Sequence, residues 1–209
     1  MSAENQNSTY KEFAANYDSQ VNEYNSYGHD VLFGMSFNSV EPGQNMLDIG
    51  IGTGLASEPF ARYGLNVYGL DSDENMMEAC RSKAFATALN LFDLTKDPIP
   101  YKAAFFDQAI SCGVLHFAGE LERIFAEVRR VLKTGGNFSF TFAPLEADKG
   151  FAPQDTAWGV LIYKHATAYV YSVLQSNHFK LEKEQRLLIK GADKINYDML
   201  FSAVVAQAV

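Results

Sequence analysis

Leu47-Asp48-Ile49-Gly50-Ile51-Gly52-Thr53-Gly54 is the stretch on which the fold turns. An apolar run, Met46 to Ile51, enters three alternating glycines, and helical periodicity resumes over Leu55 to Tyr63. A strand that breaks into a glycine loop and then a helix is the opening unit of a doubly wound α/β sheet. Glycines at 50, 52 and 54 let the chain turn through unusual φ, bring N–H groups close to a ligand, and leave no Cβ where a nucleoside must pack. The same cluster can also be a plain strand-to-helix turn, so its meaning rests on its surroundings.

Downstream, short apolar runs alternate with helical segments. The runs are Asn66 to Leu70, Ala88 to Phe92, Phe106 to Cys112 and Asn137 to Phe142; the helices are Asn75 to Lys83 and Leu121 to Leu132. Successive βα units of this kind predict a parallel sheet between two helical layers with right-handed crossovers. Gly135-Gly136 is expected to close the long helix as a left-handed cap, and Pro144 to Gln154 reads as a surface excursion. In the last third, a helix over Lys164 to Asn177 precedes two strands, Phe179 to Ile189 and Tyr197 to Ala206. About seven residues join them, too few for a parallel crossover, so they form a hairpin. The expected architecture is a Rossmann-like three-layer sandwich around a seven-stranded, mostly parallel sheet with one antiparallel strand near the C-terminus. One domain over residues 1–209 is expected, with residues 1–44 a helical N-terminal lid containing helices around Tyr10 to Tyr17 and over Asp30 to Phe37.

Composition narrows the function. The 209 residues are 47% hydrophobic and 20% charged, and 25 acidic against 17 basic side chains give a net charge of −8. Acidity of this size argues against nucleic acid as a partner. No run approaches the roughly 18 to 20 apolar residues that cross a bilayer, and MSAENQNSTYKEF lacks the basic and apolar regions of a signal peptide, so a cytoplasmic protein is expected. Two cysteines and four scattered histidines have no metal-ligand spacing, and no metal is expected.

Asp71 ends the second strand in GLDSDENM, and Asp93 follows the third in NLFDLT. Acids at these strand ends lie beside the glycine loop, where Asp71 can accept ribose hydroxyls and Asp93 can meet an adenine edge; each can equally cap a helix or turn. The spacing G-x-G-x-G departs from the dinucleotide pattern G-x-G-x-x-G, and there is no P-loop, so pyrophosphate and triphosphate are disfavoured. Asp48 would repel a phosphate and attract a cation.

These residues resemble the class I S-adenosylmethionine-dependent methyltransferases, in particular the small-molecule branch that includes ubiquinone and menaquinone methyltransferases. The resemblance covers about residues 10 to 143 and rests on YKEFAANYD, LDIGIGTG, GLDSDENM, NLFDL, FDQAISCGVLHF and RVLKTGGNFSFTF. It implies S-adenosylmethionine as cofactor and S-adenosylhomocysteine as product. It further implies that Asp48, Gly50, Gly52 and Gly54 hold the methionine part and pass under the ribose, and that Asp71 binds the ribose hydroxyls. Ser72 and Met76 would flank the adenine, Asp93 and Leu94 would meet its edge, Cys112 and Gly113 would face the methionyl group, and Tyr17 would help close the site.

A sulfonium methyl is already activated, so alignment and exclusion of water are the main demands. His116, in GVLHF, is the candidate for a base or for orienting a small-molecule acceptor, since an unperturbed imidazole titrates near neutrality; a loop histidine with a structural hydrogen bond is the plainer alternative. Tyr10, Tyr17, Tyr24 and Tyr27 either line a lid or pack a core. Phe151 to Trp158 is a second candidate acceptor segment. A protein methyltransferase, a non-catalytic cofactor-binding protein and a nicotinamide-dependent dehydrogenase are the rival readings.

Overall fold

The structure is a computed structural model in which residues 14–23, 25–148, 150–156, 160–189 and 199–209 are described. Residues 14–23 are helical (α1), followed by α2 (Gly28–Ser36) and β1 (Asn45–Ile49). The βα units are α3 (Glu58–Tyr63), β2 (Asn66–Asp71), α4 (Glu74–Ser82), β3 (Ala88–Leu91), β4 (Phe106–Ser111), α5 (Glu122–Val131) and β5 (Leu132–Phe142). The chain ends with β6 (Pro144–Leu145), β7 (Phe151–Asp155), β8 (Leu161–Ala166), α6 (Thr167–Ser176), β9 (Phe179–Ile189) and β10 (Met199–Ala208).

Seven strands form one sheet in the order β3-β2-β1-β4-β5-β10-β9. Pairings from β3 through β5 are parallel. β10 is antiparallel to both its neighbours, which makes it the single reversed strand. The expected sheet is thus the one observed.

Alternation along the strands sorts residues into two cores. In β1, Leu47 and Ile49 join Phe138, Phe140 and Phe142 of β5 in a cluster with Phe125 and Val128 of α5 and Val170 and Leu174 of α6. On the other face, Met46 and Ile110 meet Leu32 of α2, Phe60 of α3 and Cys80 of α4. β5 shows why a period of two matters: its phenylalanines point to α5, whose ring of Phe125 lies 5.3 Å from Phe138 and 5.2 Å from Phe140. The intervening Ser139 and Thr141 are buried on the opposite face, where the Ser139 hydroxyl lies 2.8 Å from that of Ser36 in α2. The residues of α2 therefore do more than overhang the domain, because this helix is part of one helical layer.

Three local expectations are corrected. Gly135-Gly136 does not cap α5, which ends at Val131, with Leu132 already extended at φ −78° and ψ 142°. The two glycines lie inside β5, where its register against β4 shifts between Phe106 and Gln108. A Cβ on Gly136 would stand 2.7 Å from the Asp107 carbonyl oxygen, so close backbone approach at an irregular pairing explains the residue better than a helix cap. Second, α6 begins only at Thr167: Lys164 to Ala166 belong to β8, held on both sides by β6 and β7. Third, the described residues of Pro144 to Gln154 lie at the surface as expected, but they contribute β6 and most of β7 to that three-stranded sheet, ordered β6-β8-β7. In each case pairing partners distant in sequence override a local pattern.

Among the described residues, no helix is long and apolar enough to cross a membrane.

Gly136→Ala should destabilise the protein by about 1 to 3 kcal/mol, because the atom it must displace is backbone. Gly34→Ala, exposed in α2 with open space around it, should stabilise by roughly 0.5 to 1 kcal/mol. Urea midpoints of the two variants against the parent chain measure both effects.

Candidate active site

The glycine loop is fixed by the strand next to it. Gly50 and Ile51 both donate their N–H groups to the Leu70 carbonyl, at 2.7 and 2.9 Å, and Gly52 donates to Asp71 Oδ2 at 2.7 Å. Gly50, Gly52 and Gly54 have φ of +75°, +54° and +84°. At two of them space as well as φ demands glycine: a Cβ on Gly50 would lie 2.2 Å from Val114 Cγ2, and one on Gly54 would lie 2.5 Å from Phe85 Cζ.

Helix α1 is tied to this loop. Thr53 donates to Asp18 Oδ1 at 2.6 Å, and the other Asp18 oxygen takes an ion pair from Lys83, just past α4. One carboxylate thus clasps three segments and holds Tyr17 over the loop.

A cavity of about 630 Å³ opens at the C-terminal ends of the parallel strands. It brings together Tyr17, Gly50, Gly52, Asp71, Ser72, Met76, Asp93, Leu94, Cys112, Gly113 and His116. A smaller hollow of about 100 Å³ shares Tyr17, Gly50, Gly52, Cys112 and Gly113 with it and extends toward Thr53 and His29. Two sequence candidates are absent from both linings. Gly54 faces Phe85 and Cys80, which makes it a packing residue. Asp48 is buried beneath the loop at 1% exposure.

The ionisable groups differ sharply in environment. Neither carboxylate oxygen of Asp48 has a hydrogen-bond partner. Burial pushes its pKa up to about 7, and the neighbouring Ser57 hydroxyl opposes the rise only in part. Asp71 is also raised by burial, partly offset by N–H groups of Asp73 and Gly52; the Asp73 N–H reaches Oδ1 at 2.9 Å. Each Asp71 oxygen accepts one of these bonds and keeps a lone pair for a ligand. Asp93 is held down to about 2 by Lys96, 2.6 Å away, and by Thr95. Burial raises the Tyr17 phenol and the Cys112 thiol each to about 12, so both stay protonated at neutral pH. The Gly113 N–H is already spent on Thr141 Oγ1 at 2.8 Å.

His116 departs most from the sequence-based expectation. It sits in a 3-10 turn (Leu115–Phe117) after β4. Burial, with a contribution from His165, pushes its pKa down to about 4, away from the neutrality that recommended it as a base.

The far wall of the cavity was only partly signalled in the sequence. Thr156 belongs to the expected acceptor segment, whereas Val160 and Ile162 around the small sheet and Met199 and Phe201 of β10 had no local signal. These last two reach the site because β10 runs antiparallel, so its beginning lies at the edge where the parallel strands end. Of the aromatic lid candidates, Tyr17 lines the cavity, while Tyr27 is exposed and bonded to Asn25. Tyr10, Tyr24 and Trp158 lie outside the described residues. Phe151 packs instead beside Tyr163, His165 and Tyr169.

Residues 47–140 match the family model described as a methyltransferase domain. The chain is 31% identical over 134 residues to a malonyl-[acyl-carrier protein] O-methyltransferase of Serratia marcescens, covering 64% of this chain and 51% of that protein. It is 28% identical over 194 residues to a ubiquinone/menaquinone biosynthesis C-methyltransferase of Cupriavidus pinatubonensis, covering 84% and 78% of the two. A methyltransferase structure from Methanosarcina mazei superposes with a TM-score of 0.70 at 17% identity, covering 84% of this chain and 97% of that one. This chain spans about half the length of the Serratia relative. Sheet order, glycine loop and sequence match agree on a methyltransferase domain over residues 47–140, in a fold shared with that methyltransferase structure.

Proposed function

We infer that the chain transfers the methyl group of S-adenosylmethionine to a small-molecule acceptor. The observation that carries this reading is the division of the cavity. One half, at the ends of β1, β2 and β3, holds Asp71, Asp73 and Asp93; the other is walled by Val114, Phe117, Val160, Ile162, Met199 and Phe201. A polar nucleoside suits the first half and a largely apolar acceptor the second.

The residues fit the cofactor on physical grounds. A buried carboxylate without a partner is costly, and Asp48 has two orphaned oxygens beneath the loop. A cationic ligand above the loop would favour its charged form. Asp71 would take the ribose hydroxyls with its remaining lone pairs, and Ser72, Met76, Asp93 and Leu94 would surround the base. Tyr17, clasped over the loop through Asp18, would help exclude water. When bound, S-adenosylmethionine supplies an electrophilic methyl on a sulfonium, open to in-line displacement. The remaining demand on the protein is to align the acceptor. Two free cysteines, Cys80 and Cys112, agree with a reducing, cytoplasmic setting.

Calorimetric titration with S-adenosylmethionine, S-adenosylhomocysteine and NADH tests the cofactor: micromolar binding of the first two alone is expected, and exclusive binding of NADH would overturn the reading. Formation of S-adenosylhomocysteine with a pool of apolar acceptors separates an enzyme from a non-catalytic binder. Asp71→Ala should weaken cofactor binding by about 2 to 4 kcal/mol, since it removes bonds to a charged group.

Asp48 sets a pH signature. Its folded pKa of about 7 lies above the ordinary 3.8, so its stabilising share is complete below about pH 4 and is lost as pH rises through 7. Asp48→Asn should therefore gain stability relative to the parent between pH 5 and 8, by up to on the order of 4 kcal/mol. It should also bind S-adenosylmethionine more weakly at pH 8. Thermal melts and titrations across that range show whether the two effects part in this way.

A further inference from the structure

His116 is the only titratable side chain on the apolar side of the cavity among the described residues, and its surroundings do not equip it as a base. A general-base histidine is commonly oriented through its second ring nitrogen by a carboxylate or carbonyl. His116 Nδ1 is buried and has no hydrogen-bond partner. The ring is instead packed among rings, 4.2 Å from Phe117 and 5.7 Å from Phe201 between centroids. The acids lining the cavity, Asp71, Asp73 and Asp93, stand at its nucleoside end.

The position of the proton follows from this packing. A proton on Nδ1 would be a buried orphan donor, which proteins tolerate less readily than an unused acceptor lone pair. The proton therefore belongs on Nε2, the nitrogen that is not sealed in. His165 of β8, the titratable neighbour that acts on His116, is arranged differently. Its Nε2 contacts the Ala118 and Gly119 carbonyls at 2.9 and 3.0 Å, which requires it to donate there, so its own proton does not point to the acceptor space. Phe201 of β10 brings no charge to His116.

We propose that His116 is a positioning and specificity residue that acts as a neutral donor, presenting Nε2–H to an uncharged oxygen of an apolar acceptor. The acceptor class that fits is a mostly hydrocarbon molecule with a carbonyl or hydroxyl oxygen held against that one donor. Val114, Phe117, Val160, Ile162 and Phe201 supply apolar surface and no countercharge. A cationic acceptor group would meet neither a carboxylate nor an open carbonyl from these side chains. This inference rests on the methyltransferase reading for what the oxygen is held toward, while the proton's position is a property of the protein alone.

Nitrogen-15 spectra of the labelled full chain read that position directly, with His116→Gln identifying the signal. The Nε2–H neutral form is expected from pH 8 down to pH 5.5, with and without S-adenosylhomocysteine. An Nδ1–H form, or titration near pH 6.5, would overturn the proposal. A second measurement tests the acceptor class on the S-adenosylhomocysteine-loaded protein, using 1-tetralone, a ketone, and tetralin, its hydrocarbon counterpart. His116→Ala should weaken tetralone binding roughly fivefold and leave tetralin unchanged, and His116→Gln should restore part of the loss. Equal loss for both probes would show a shape-filling role and overturn the donor assignment; binding of neither probe to the parent chain would overturn the apolar acceptor class. Failure of S-adenosylhomocysteine to bind would count against the methyltransferase reading, with the nitrogen spectra still deciding the tautomer.

Discussion

The hydrogen bond from Gly52 N–H to the Asp71 carboxylate joins the turn after β1 to the end of β2, and the site is organised around it. The Leu70 carbonyl receives Gly50 and Ile51 one step earlier, so the loop continues the β1–β2 pairing beyond the strands themselves. This constraint forces three positive φ angles into five residues and brings Val114 against Gly50 too closely for any side chain. The loop in turn presents Thr53 to Asp18, which seats α1 and Tyr17 above the cavity.

Stability and function pull against each other at this edge of the sheet. Asp48 is buried with no partner, although its place in β1 would suit an apolar residue like Leu47 or Ile49. His116 is likewise sealed on one side with an unpaired nitrogen. The two distort stability in opposite directions. Asp48 lends most at low pH, whereas His116, with its pKa depressed, costs stability as pH falls from about 6.5 toward 4. Other buried polar groups are paired, as in Ser36 with Ser139 and Ser111 with the Ile49 carbonyl, while Ser57 Oγ, His165 Nδ1, Ser202 Oγ and Arg129 Nε are not. An unsatisfied group in a cavity wall, as His116 is, or beneath its glycine loop, as Asp48 is, is what a site prepared for a ligand would carry.

Much of the sheet was legible because its central strands β1, β4 and β5 are buried on both faces and the helices covering them are amphipathic. Ile124, Phe125, Val128 and Val131 recur at helical spacing, and all four are buried against the strands. The glycine loop and Asp71 were legible for a related reason: φ above zero and a strand-end carboxylate leave marks at single positions. Gly135-Gly136 misled because a glycine pair after a helical run has two physical uses, a helix cap and a close backbone approach. Only the Asp107 carbonyl, 2.7 Å from where a Gly136 Cβ would stand, separates them. Lys164 to Ala166 misled because helical periodicity began locally, while β6 and β7 supplied strand partners on both sides.

By itself the sequence determined the order of βα units, the turn at Gly50 to Gly54 and the acids near the strand ends, since each depends on local periodicity or backbone freedom. It did not determine which candidates face the cavity. Asp48 and Gly54 fall within the motif yet point into packing, whereas Met199 and Phe201 lie some 150 residues away and form its wall. The tertiary structure also decided the character of His116, because an imidazole's protonation and tautomer follow from burial and from what its two nitrogens meet. The neighbours that set both, His165 of β8 and Phe201 of β10, lie far along the chain from His116, and only the tertiary fold brings them to it.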